Sequence, residues 1–66
     1  MYENLRVEMV RKNLNISRLA ERTGIPFQRL SGKMHGRDKK GFLFSEAVSI
    51  KTALGTTMPL EVLFER

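Results

Sequence analysis

Apolar residues recur three or four positions apart in five stretches of the chain, the spacing that puts side chains on one face of a helix. The stretches contain Tyr2, Leu5 and Met9; Ile16, Leu19 and Ala20; Leu30 and Met34; Ala47, Ile50 and Leu54; and Leu60, Leu63 and Phe64. Polar and charged residues fill most positions between them. The pattern predicts an all-α fold of five short helices, the first of about ten residues.

Turn and cap residues predict where the first three helices end and begin. Asn15 can accept a hydrogen bond from a free backbone amide at the start of the second helix. Gly24 stands where a left-handed residue would end that helix. Pro26 suits the first turn of the next helix, because its missing N–H needs no partner there. The third helix is therefore predicted over about residues 26–34.

The second half of the chain contains one ambiguous stretch. Residues 37–41 consist of charges and glycine and predict an exposed loop. The apolar run at 42–44 could form a strand, but the sequence offers no second strand to pair with it. The fourth helix is predicted from Ser45, with Gly55 ending it and Pro59 opening the fifth.

Length and composition are those of one small folded domain spanning residues 1–66. Hydrophobic residues make up 41% of the chain and charged residues 29%, close to the average for soluble folded proteins. Cysteine is absent, which excludes disulfides and thiolate metal sites, and no apolar stretch has the length of a secretion signal or a membrane span. We expect a cytoplasmic protein with no membrane partner.

Positive charge is concentrated in the middle of the chain. The formal net charge is +5. Residues 11–40 contain nine basic and two acidic side chains, a balance of +7, whereas the two flanks contain three basic and five acidic ones, a balance of −2. A cationic segment of this kind favours a polyanionic partner.

The reactive side chains predict that the protein is not an enzyme. His35 is the only histidine, so neither a metal site nor a nucleophile–base pair can be assembled around it. Glu61 and Glu65 lie one helical turn apart, which is ordinary for a solvated surface, and no glycine-rich phosphate loop is present. We expect no catalytic residue, metal, cofactor or small-molecule ligand.

Residues 16–34 have the pattern of a helix-turn-helix. Ala20 is small enough for the next helix to cross close to it, and Gly24 supplies a sharp turn. The wedge between the two helices would be filled by Leu19, Ile25 and Leu30. The second helix of such a motif can enter a major groove, which is about 12 Å wide.

Further residues extend this likeness to nearly the whole chain. They are Asn4-Leu5-Arg6, Leu19-Ala20, Gly24-Ile25, Leu30-Ser31, Met34, Gly36, Phe42, Ser45-Glu46-Ala47, Ile50, Leu54-Gly55 and Leu63-Phe64. With these residues in this order, the chain resembles the lambda-repressor-like, Cro-type helix-turn-helix family of phage and bacterial transcription regulators. The resemblance implies a compact five-helix domain that binds double-stranded operator DNA as a homodimer, as a nucleoid-associated repressor. Repression is favoured because so small a domain has no room for a separate activating surface.

Three positions depart from that family. Many members have Gln where this chain has Ile16, which cannot help to hold a phosphate, so Asn15, Ser17 or backbone amides would have to do so. Pro26 replaces the usual Ser or Thr cap of the third helix, and Leu43 replaces the usual Thr before the fourth. Both changes weaken the capping pattern without removing the helices.

The third helix supplies the candidate base contacts, Phe27, Gln28, Ser31 and Gly32. The Gln28 amide can pair with N6 and N7 of adenine. Gly32 offers no side chain and would let the helix backbone approach the groove closely. Phe27 has core spacing relative to Leu30, whereas the resemblance implies a place on the DNA face next to a thymine methyl group. Both interpretations stay open at this point.

Basic and polar residues around the two helices supply the candidate phosphate contacts. They are Asn15, Ser17, Arg18, Arg29, Lys33, His35, Arg37, Lys39 and Lys40. Arg22 is a further candidate, but it could pair with Glu21 instead, as Arg11 could with Glu8. Contacts of this type would supply most of the affinity and make it fall with salt.

Two questions concern the partner. The apolar residues beyond the needs of a small core are Phe42, Phe44, Val48, Met58, Leu60, Val62 and Phe64. Some of them, on the last two helices, could form a two-fold contact that sets half-sites about 34 Å apart. The alternative function is a protein-interaction module of the same fold, an antitoxin, antirepressor or adaptor whose basic face binds an acidic protein. RNA is a more distant alternative, since no sheet with stacking aromatics is predicted.

Overall fold

Five helices make up the ordered framework of the computed structural model, which describes residues 2–38 and 40–66. They are α1 (Glu3–Arg11), α2 (Ile16–Thr23), α3 (Phe27–Met34), α4 (Phe44–Leu54) and α5 (Leu60–Leu63), and these described residues contain no strand. The radius of gyration of the Cα atoms is 10.4 Å, close to the value of about 11 Å expected for a compact domain of this length. The predicted all-α, compact five-helix architecture is confirmed. None of the described helices is long and apolar enough to cross a membrane.

Each helix contributes one completely buried side chain to a single core. These side chains are Leu5, Leu19, Leu30, Ile50 and Leu63, each with no exposed surface. Burial of an aliphatic side chain of this size stabilises the folded state by about 1.5–3 kcal/mol. All five occupy positions that the apolar spacing assigned to helix faces, so the core follows directly from the pattern.

The ends of α2 are fixed by local hydrogen bonds and backbone geometry. The Arg18 amide donates to Asn15 Oδ1 over 2.8 Å, which confirms the predicted cap. Gly24 has a φ of 77°, the left-handed conformation that ends a helix at little cost only for glycine. Pro26 was predicted to be the first residue of α3, but it precedes the helix, which begins at Phe27. Its carbonyl accepts the first hydrogen bond of the helix, from the Leu30 amide over 3.0 Å.

The connection between α2 and α3 is short and well tied. Thr23 Oγ1 donates to the Leu19 carbonyl over 2.8 Å and accepts from the Ile25 amide over 3.3 Å. Ile25 packs partly buried against the core. α3 packs against α2, which in turn packs against α4. One side of α3 therefore faces the core, and its other side remains at the surface.

A small aromatic cluster joins the two ends of the chain. The Tyr2, Phe42 and Phe64 rings contact one another edge to face, with centroids 5.1–6.4 Å apart. Phe42 and Phe64 are packed against the core. Both are only partly buried, so their part in a two-fold contact stays a prediction, whereas Phe44 is 77% exposed.

Candidate nucleic-acid interface

The surface of α3 is divided sharply into a core side and an outer side. Leu30 and Met34 are buried, while Phe27, Gln28 and Arg29 are exposed. Phe27 is 51% exposed, so it is not part of the buried core, although it stands three positions before Leu30 on the same side of the helix.

A shallow concave surface runs along the outer side of α3. It is lined by Gln28, Arg29, Gly32, Lys33, Arg37, Asp38 and Lys40. Candidate base contacts and candidate phosphate contacts thus lie side by side, on α3 and on the loop that follows it. Ser31, one position before Gly32, is half-buried.

Gly32 leaves an opening in this surface that packing does not require. A Cβ atom built on Gly32 would have no other atom within 4 Å. The residue lies within α3 in ordinary helical conformation, where glycine is less favourable than alanine by about 1 kcal/mol. Neither backbone strain nor a close neighbour within the described structure accounts for glycine here.

Lys33 was predicted to contact phosphate, and the structure contradicts this prediction. Its side chain is buried, and its Nζ lies 2.7 Å from Glu46 Oε1 and 3.9 Å from Asp38 Oδ2. The ammonium also lies 6.0 Å from the centre of the Phe42 ring. Lys33 follows Leu30 by three positions and so lies on the same core-facing side of α3. Its ammonium is already paired there and is not accessible to a DNA phosphate.

Glu46 is a residue at this surface that sequence reasoning missed, because its partners Arg29 and Lys33 lie on another helix. Burial would raise its pKa, but hydrogen bonds from Lys33 and from the Leu43 amide, together with the positive charges of Lys33 and Arg29, lower it below the ordinary value of 4.5. The Leu43 amide donates to Oε1 over 2.9 Å, and Arg29 Nε lies 2.9 Å from Oε2. A charged carboxylate therefore joins the start of α4 to α3.

The start of α2 forms a second polar concavity. It is lined by Asn15, Ser17, Arg18, Glu21 and Arg22. Ser17 and Arg18 are exposed, and Asn15, whose Oδ1 caps the helix, keeps its side-chain NH₂ as a donor. The three predicted phosphate contacts of α2 are thus together at one helix end.

The remaining candidates follow α3. His35, Arg37 and Lys40 are exposed. His35 Nδ1 lies 2.7 Å from the Ser31 carbonyl oxygen and therefore donates to it, so Nε2 can donate to a phosphate only when both ring nitrogens carry a proton. The predicted contact Lys39 lies outside the described residues.

No protein-family model, curated protein or solved structure matches this chain. A function therefore has to be inferred from the surface just described.

Basic residues elsewhere are partly neutralised within the molecule. Arg11 Nη1 lies 3.2 Å from Glu8 Oε2, which resolves the open choice for Arg11 in favour of pairing. Glu8 also accepts from Thr56 Oγ1 over 2.6 Å, and this links α1 to the segment between α4 and α5. Fewer basic side chains are therefore unpaired than the balance of +7 in residues 11–40 suggests.

Proposed function

We propose that the protein is a sequence-specific double-stranded-DNA-binding regulator, a lambda-repressor-like helix-turn-helix domain that inserts α3 into the major groove. The observation that carries this proposal is the division of α3. Leu30 and Met34 anchor it in the core, while Gln28 and Arg29 stand exposed beside the opening at Gly32. A major groove about 12 Å wide admits a helix presented in this way.

Base contacts come from the outer side of α3. Gln28 pairs with adenine through its amide, and the exposed Phe27 ring packs on a thymine methyl group. Ser31 donates or accepts near the Gly32 opening. These contacts carry sequence information, because they reach groups that differ between base pairs.

Phosphate contacts lie at both ends of this surface. Asn15, Ser17 and Arg18 hold the backbone at the start of α2, and the residues after α3 hold it on the other side. These are His35, Arg37 and Lys40. Lys33 is left out because Glu46 already holds its ammonium.

A homodimer completes the proposal. Phe44 and Val48 of α4 and Val62 of α5 remain exposed at 77%, 39% and 37%, and a two-fold contact through them would place two copies of α3 one helical turn of DNA apart. Such a dimer would repress transcription by occupying its operator.

In vitro selection from random duplex DNA tests this function. We expect a palindromic motif with half-sites about 34 Å apart, and a weaker preference at one adenine, by about 1–3 kcal/mol, in Gln28→Ala. Thr57→Ala, an exposed change between α4 and α5, serves as the control and should select the wild-type motif. Retention on heparin without any selected motif would instead support a basic face that binds an acidic protein.

A further inference from the structure

Arg29 was expected only as a phosphate contact, but its geometry is that of a held guanidinium. Its Nε lies 2.9 Å from Glu46 Oε2, while about half of its side chain remains exposed (51%). The guanidinium has five N–H donors, and Nε carries one of them. The ion pair with Glu46 is made at Nε, and the four donors of the two terminal nitrogens remain for a ligand.

Glu46 is itself fixed from three directions. Its Oε1 accepts from Lys33 Nζ over 2.7 Å and from the Leu43 amide over 2.9 Å, and its Oε2 faces Arg29. Its side chain is only 10% exposed. A carboxylate held in this way sets the direction of the arginine before any ligand binds, which lowers the ordering cost of recognition.

The neighbours of Arg29 show which ligand its free end would meet. Arg29 lines the same concave surface as Gln28 and Gly32, the two residues proposed to lie against the base edges. Two parallel donors at one end of a guanidinium match O6 and N7 of guanine in the major groove, and lysine, with a single ammonium, lacks that fork.

We infer that Arg29, positioned by Glu46, recognises the guanine of one G·C pair in each half-site rather than a phosphate. This inference rests on the proposed function, because it assumes that α3 lies in the major groove. Arg29 is the specificity-determining residue, and Glu46 is a positioning residue that acts through it.

Parallel selections with wild-type protein, Arg29→Lys and Arg18→Lys test the inference. Arg29→Lys keeps the positive charge, so we expect it to bind DNA but to lose roughly 5- to 150-fold of preference for guanine at one position of the half-site. Arg18→Lys, the matched change at a proposed phosphate contact, should weaken binding to all sequences alike and leave the motif intact. If Arg29→Lys selects the wild-type guanine, Arg29 does not recognise it and the inference is overturned while the proposed function stands. If the wild-type protein selects no motif, the proposed function fails and the inference with it.

Glu46→Gln tests whether Glu46 positions Arg29 or only stabilises the fold. The amide keeps the shape of the side chain but loses the charge that pairs with Arg29 and Lys33, so folding is checked first by circular dichroism. A folded variant with a weakened preference at the same guanine supports the positioning role, because a purely structural change would reduce affinity for all sequences equally. A folded variant with an unchanged preference overturns that role and leaves Arg29 alone as the recognising residue. If the variant does not fold, Glu46→Asp, which keeps the charge at a shorter reach, takes its place and is judged by the same readout.

Discussion

Gly32 is the residue at which stability and binding make opposite demands. Since a Cβ atom there meets nothing within 4 Å, Gly32→Ala is expected to raise the free energy of unfolding by up to about 1 kcal/mol, measured by urea denaturation. The added methyl group would stand between the helix and the DNA, so the same variant should bind the selected operator more weakly. Gly24→Ala is the control, because a φ of 77° makes alanine destabilising there by about 1–2 kcal/mol. A stabilised Gly32→Ala with wild-type affinity would contradict close approach at this position.

Glu8 makes the stability of the fold depend on pH. The hydrogen bond from Thr56 lowers its pKa below the ordinary value of 4.5, and Arg11 and Lys12 add to this, although burial opposes it. A carboxyl group whose pKa is lowered by folding stabilises the folded state above its unfolded pKa and ceases to do so as the pH falls through its folded pKa. The free energy of unfolding should therefore decline below about pH 4.5, to which Glu46 also contributes. Urea denaturation at a series of pH values should give a shallower decline for Glu8→Gln, and parallel curves would assign the dependence to other groups.

For single residues, the sequence predicted exposed positions more accurately than buried charges. Gln28 and Arg18 are exposed as expected, because their positions on the helix wheel follow from their own helices. Lys33 is buried instead, because its partner Glu46 lies thirteen positions away on another helix. Spacing within one helix carries no information about a charge that another helix brings to it.

Among the elements, α2 is the one whose limits were predicted most closely, and the reason is local. Asn15 and Gly24 fix its two ends through contacts within a few positions, which a sequence displays directly. The start of α4 was missed by one residue, since Phe44 is helical and Ser45 was expected to be first. Its cap comes from the Leu43 amide and the Glu46 side chain, a pairing that an apolar run at 42–44 conceals.

Asn15 both caps α2 and is a proposed phosphate contact, so its two roles can be tested separately. Asn15→Ala should lower the free energy of unfolding by about 1 kcal/mol, since it removes the acceptor for the Arg18 amide. Asn15→Asp keeps that acceptor and should restore stability, as thermal unfolding would show. Its added negative charge should nevertheless weaken operator binding, because it repels phosphate. Wild-type affinity in Asn15→Asp would remove Asn15 from the interface and leave it only as a cap.

For the whole molecule, the distribution of charge is more informative than its sum. The sequence concentrates a balance of +7 in residues 11–40, but folding pairs Lys33 with Glu46 and Arg11 with Glu8. Counting basic residues along the chain therefore overestimates the number that can meet phosphates. The other exposed cations described in this segment are spread along the chain: Lys12 before α2, Arg18 and Arg22 on α2, Arg29 on α3, and Arg37 and Lys40 after α3.

Salt dependence measures how many of these cations act and in how many copies of the chain. The logarithm of the association constant should fall with the logarithm of salt concentration, with a slope that corresponds to roughly four to eight phosphates for a dimer. Arg37 is exposed, and Arg37→Ala should reduce the slope by about 0.9 for each bound protomer, hence by about 1.8 for a dimer. Arg11→Ala is the matched control and should leave the slope unchanged, because Arg11 is paired with Glu8.

Fluorescence anisotropy on one operator duplex distinguishes the possible outcomes. A reduction of about 1.8 in Arg37→Ala supports both the phosphate contact and two protomers on the site, since each protomer removes one contact. A reduction of about 0.9 supports the contact but means that a single protomer binds, which contradicts the homodimer and leaves α3 to act alone. An equal slope in the wild type, Arg37→Ala and Arg11→Ala would exclude Arg37 from the interface. The phosphate contacts after α3 would then be limited to His35 and Lys40.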